Sequence, residues 1–72
     1  MYVTVEKLEH GLTRQYGVPS TRRTAKALYE YAKADWTKRG YTILERLYGK
    51  AVIVDGDEEA RAVGVIQIIQ VQ

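Results

Sequence analysis

The sequence predicts an α+β fold, one long helix packed on one face of a four- to five-stranded antiparallel or mixed sheet, in the order ββαβββ. Three observations lead there. Only the stretch Ser20 to Gly40 has a helical period. Runs rich in Val, Ile, Thr and Tyr stand on both sides of it. And 72 residues without a cysteine make a single α+β domain, whose one core has no disulfide to staple it.

Tyr2 to Leu8 reads as the first strand, with Val3, Val5 and Lys7 facing one way and Tyr2, Thr4 and Glu6 the other. Glu9-His10-Gly11 makes the turn, where Gly11 is free to take a positive φ. Leu12 to Val18 follows as an antiparallel partner, its end weakened by Gly17 and Pro19. In the helix, Ala25, Leu28, Tyr29, Ala32 and Trp36 recur at steps of three and four and share one face. Ser20 or Thr21 can cap its start, and Gly40 after Lys38-Arg39 marks its end.

Tyr41 to Tyr48 carries apolar groups on both faces. Leu44 and Leu47 are three apart, which would also suit a helical piece, but Thr, Ile and Tyr favour strand. Gly49-Lys50 turns the chain into a short apolar strand, Ala51 to Val54, and Asp55-Gly56 is a favoured hairpin dipeptide. Arg61 to Val71 is the last strand. Gly64 in it signals a bulge or a close backbone approach, and the alternation changes phase around Ile68-Ile69, which suggests another bulge or bend. This strand is β-prone, free of Pro and uncharged after Arg61, an aggregation hazard at an exposed edge. It is expected at the centre of the sheet, or else at an edge covered by a second copy in a homodimer.

Charge is unevenly spread. Residues 1–40 hold eight Lys or Arg against four acids, residues 41–72 three against five. A basic helix beside an acidic loop often accompanies a charged partner. No apolar run approaches the roughly 20 residues that span a bilayer, and the start lacks a signal-peptide pattern. A soluble cytoplasmic domain is expected, with no membrane partner. The aromatic set is six Tyr, one Trp and no Phe. That suits half-buried sheet positions, or a wet interface.

No catalytic chemistry is legible. His10 is the single histidine and sits in a turn. A triad with Ser20 would take a residue better used as a helix cap, and no spacing holds an acid–base pair in reach. Glycines are scattered and form no phosphate loop. Asp55-Gly56-Asp57 resembles a fragment of a calcium loop, but the 12-residue frame with its terminal bidentate Glu is absent. The acids Asp55, Asp57, Glu58 and Glu59 are read as solubilising a hairpin tip. The expectation is a non-enzymatic protein without cofactor or metal.

The helix start breaks a local rule. Arg22 and Arg23 occupy the first turn, where the macrodipole favours acids, at about 0.3–1 kcal/mol per misplaced charge. An anion there, a phosphate or a partner's carboxylate, would relieve that cost. Arg22, Lys26, Tyr29 and Lys33 continue as one stripe at helical spacing, and Tyr31 is an exposed aromatic beside it. The plainer reading is a solvated face in which Glu30 pairs with Lys26 and Lys33, and Asp35 with Lys38 or Arg39. The candidate binding residues, for protein or phosphate, are therefore Arg22, Arg23, Lys26, Tyr29, Tyr31 and Lys33. The expected partner is a larger protein with an acidic surface; nucleic acid bound without sequence preference is the alternative.

Thr4-Val5-Glu6, Glu9-His10, Thr24, Ala27, Trp36 and Gly40-Tyr41, with the strand, turn, strand, helix and strand that carry them, complete a pattern. It resembles small phage-encoded ββαβ proteins that bind and inhibit host enzymes. The likeness covers about two thirds of the chain, and the two strands after Tyr48 depart from it. It implies a binding protein without catalysis, and no contact residue carries over from it.

Overall fold

The computed structural model describes residues 1–56 and 61–72. Five strands, β1 (Tyr2–Leu8), β2 (Thr13–Ser20), β3 (Thr42–Leu47), β4 (Lys50–Asp55) and β5 (Arg61–Gln70), surround one helix, α1 (Arg22–Lys38). The sheet order is β2-β1-β5-β4-β3, and every neighbouring pair is antiparallel. The predicted α+β architecture is the one observed, with five strands and no parallel pair.

β5 lies at the centre, hydrogen-bonded to β1 on one side and β4 on the other. Its uncharged stretch is thereby kept off any edge, and dimerisation by adding a strand to β5 has no free edge to use. The expected irregularity at Ile68-Ile69 is absent: β1 and β5 pair without a break from Tyr2–Gln70 to Leu8–Gly64. A register shift does fall where Gly64 signals one: Ile53 and Val54 of β4 pair with Gly64 and Ala62, which leaves Val63 of β5 as the extra residue. A Cβ on Gly64 would stand 2.7 Å from Leu8 Cδ2 and 2.9 Å from the Lys7 carbonyl oxygen, so the close approach read from the sequence is real.

Thr21 is the N-cap, and its hydroxyl accepts a hydrogen bond from the Thr24 N–H at 3.2 Å. At the other end Gly40 takes φ +97°, its N–H reaches the Thr37 carbonyl, and the Tyr41 N–H reaches that of Trp36. These two bonds form a Schellman motif. Its customary apolar contact is the Trp36–Tyr41 pair, edge to face at 4.9 Å. Ala25, Tyr29, Ala32 and Trp36 are buried as their spacing predicts, and the last three share a core with Ala51, Ile53 and Ile66.

Strand parity decides the rest. Ile66 and Ile68 face the helix, so the β1 residues opposite them, Glu6 and Thr4, face it too. Both are buried, at 2% and 0% exposure. Thr4 Oγ1 donates to the Ala25 carbonyl at 2.7 Å, within the helix. Glu6 Oε1 accepts from Tyr16 Oη at 2.7 Å and Trp36 Nε1 at 2.5 Å. Polar residues of β1 thus lie under the helix, and apolar Val5 lies on the uncovered side.

Candidate functional site

The six candidate residues do not form one surface. Arg22, Arg23 and Lys26 are exposed in the first turns of α1. Arg22 stands 5.9 Å from the Tyr2 ring centre and Lys26 5.7 Å from that of Tyr48. Tyr29, by contrast, is 0% exposed and cannot interleave with the cations. The four-residue step from Ala25 turns its ring into the core, where it packs edge to face on Tyr48 at 5.2 Å. Its hydroxyl donates to Glu45 Oε2.

Lys33 is held rather than free. Its ammonium lies 3.0 Å from Glu30 Oε2 and 3.2 Å from Glu45 Oε1. Burial works against its charge, but the hydrogen bonds to Glu30 and Glu45 outweigh it and raise its pKa above the ordinary lysine value. The predicted basic stripe therefore ends at Lys26. Of the paired acids, Glu30 takes Lys33 and not Lys26, and Asp35 takes Arg39 at 3.0 Å.

The tyrosines are chiefly struts. Tyr16, Tyr29 and Tyr48 donate to Glu6, Glu45 and Glu30. Burial, then the bond to Glu6, pushes the Tyr16 hydroxyl up to about 12. Burial and Glu45 raise that of Tyr29 further. The Glu45 carboxyl is lowered first by the Tyr29 hydroxyl and then, against its own burial, by Lys33. Tyr16 is only 6% exposed and presents no contact surface. Tyr31, at 61%, remains open and packs edge to face on Tyr16 at 6.5 Å.

Two features were missed from the sequence. One is a cleft of about 420 Å³ where Arg22 and Lys26 meet Lys50 of β4, walled by Tyr2, Tyr48 and Gln70. Lys50 is 24 residues from Lys26, and only the β4–β5–β1 pairing brings them together. The other is the face of the sheet opposite the helix. Val52 of β4 sits across from Val65 of β5, and Leu44 of β3 across from Val52, an apolar row over three strands. Val5, Val65 and Ile69 line a groove of about 700 Å³ there, and Leu44, Leu47 and Val52 a second of about 350 Å³. Lys7, Arg46 and Lys50 border these grooves. Glu9 is the one acid on them among the described residues, 3.4 Å from Arg61. The period-two phase of β1 is the signal that points to this face, once the polar set is known to be inside.

Among the described residues no three His, Asp or Glu side chains gather in a way that could hold a metal, and no helix is long and apolar enough to cross a membrane. Asp57, Glu58 and Glu59 of the acidic turn lie outside the described residues. No family model, curated protein or solved structure matches the chain.

Proposed function

We propose that this is a non-enzymatic protein-binding module that docks a larger protein on the uncovered face of its sheet, acting as an inhibitor or adaptor. One observation carries the reading. The side of the sheet away from the helix presents Val5, Leu44, Val52, Val65 and Ile69, while the polar Thr4 and Glu6 are spent inside. A half-covered antiparallel sheet ordinarily shows polar residues to water. An apolar reversal of that pattern marks an interaction surface.

Charge chooses the occupant. Lys7, Arg46 and Lys50 fringe the apolar row, and the one acid there among the described residues is already matched by Arg61. Two copies stacked face to face would oppose like charges, whereas a partner with an apolar ridge and acidic flanks would complement them. The absence of cysteine fits a reducing cytoplasm. The resemblance to phage-encoded inhibitors, which bind and do not catalyse, points the same way. The alternative of a nucleic-acid binder along the helix loses Tyr29 to the core and Lys33 to Glu30 and Glu45.

The test compares proteins retained from lysate by the immobilised wild type, by Val65→Lys and by the double variant Arg22→Ala/Arg23→Ala. A specific partner should be lost with Val65→Lys, weakened about tenfold or more, and kept with the arginine variant. Retention by Val65→Lys together with loss on the arginine variant would place the interface on the helix and refute the reading.

A further inference from the structure

We infer that the cleft between the start of α1 and the β3–β4 turn is an anion site that takes a phosphate ester of about mononucleotide size. It opens beside the helix at the end of the sheet and shares Lys50 with the docking face, while Arg22 and Lys26 belong to it alone and separate the two readings. Three cations from two elements border it: Arg22 and Lys26 from successive turns of α1, and Lys50 from the first position of β4. None of the three makes an ion pair or a side-chain hydrogen bond among the described residues. Glu30, which is bonded to the cleft residue Tyr48, is occupied by Tyr48 Oη at 2.9 Å and by Lys33 at 3.0 Å.

Like charges gathered in one concavity repel each other and cost stability unless something answers them. Asp55, at the far end of β4, is five residues along the strand from Lys50, about 17 Å away. The first turn of the helix contains no acid. A phosphate dianion matches this set, since Arg22 offers a planar fork and the two lysines compact charges. The volume, about 420 Å³, lies in the range of small-ligand sites. The Tyr2 and Tyr48 rings give a flat sugar or base something to lie against, and Gln70 adds an amide at the rim.

The experiment is an amide-resolved NMR titration of the full chain with adenosine 5′-monophosphate, adenosine and inorganic phosphate in low salt. Saturable shifts are expected at Tyr2, Arg22, Lys26, Gly49 and Lys50 with the monophosphate, weaker ones with phosphate, and none with adenosine. Arg22→Ala/Lys26→Ala should weaken binding about tenfold or more while leaving distant amides unmoved, and Lys50→Ala should act in the same direction. Equal response to adenosine and its monophosphate, shifts spread equally to Lys38 and Arg39, or no saturation would overturn the proposal. A 5′-phosphorylated hexathymidylate run alongside its unphosphorylated form separates two sources of the same chemistry. Tighter binding of the phosphorylated strand than of the monophosphate assigns the site to a strand end, and weaker binding assigns it to a free nucleotide.

Discussion

Glu6 brings a carboxylate into the layer between helix and sheet at 2% exposure, and two neutral donors hold it there. Removing it strands the Tyr16 hydroxyl and the Trp36 indole N–H in the dry interior. Glu6→Ala should therefore cost roughly 3 kcal/mol in urea unfolding. Glu6→Gln keeps an oxygen that can accept both bonds, and should lose less than half as much; equal losses would show that packing, not bonding, dominates. The same arrangement answers the puzzle of six tyrosines and no phenylalanine: three hydroxyls are donors to glutamates. That role was not legible in the sequence, because Glu6 looks like any surface residue of an alternating strand. Its partners come from β2 and the last turns of α1, and only the assembled fold reveals them.

The titrations set a stability plateau. The Tyr16 hydroxyl is raised from 10.0 to about 12, so its contribution is complete below pH 10 and is lost as pH climbs toward the folded value. Tyr29 and Lys33 are raised too and act in the same sense. Glu45 is lowered from 4.5, so its contribution is present above that pH and disappears as acid protonates it. The thermal midpoint should be flat between about pH 5 and 10 and fall on either side. Tyr16→Phe should flatten the alkaline limb; an unchanged limb would mean that Tyr16 does not carry it.

At the scale of elements, the sequence spoke clearly where local chemistry decides. The helix, its Thr21 cap, its Gly40 exit and its Ala25, Tyr29, Ala32, Trp36 face all follow from spacing and end residues. The strands were also visible, and so was the central place of β5, argued from its lack of charge. What local pattern could not supply was phase. An alternating strand such as β1 has two faces, and the choice between Thr4-Glu6 and Val3-Val5 as the covered one depends on which set meets the helix. The stripe from Arg22 to Lys33 failed for a related reason, since Tyr29 was read both as core and as surface, and burial allows only one. Gly64 tests the tight β1–β5 contact. Gly64→Ala must push against the Lys7 carbonyl, a backbone atom, and should cost about 1–3 kcal/mol in chemical unfolding. No change in stability would mean that the strands separate easily there.

At the scale of the whole molecule, the chain is a two-sided plate. One side holds the helix, the tyrosines and a cleft with three unanswered cations; the other is an apolar field with a basic fringe. With a radius of gyration of 12.0 Å the molecule has room for only a small core, and the helix covers one face of the sheet alone. The most direct test of the open side is site-specific photo-crosslinking, with a benzophenone side chain placed at Ile69 on the open sheet face and, separately, at Ala34 on the exposed side of the helix. The docking account predicts a discrete adduct with a larger protein from position 69 alone, abolished when Val65→Lys is added. Adducts between two copies of this chain, or equal crosslinking from both positions, would contradict it.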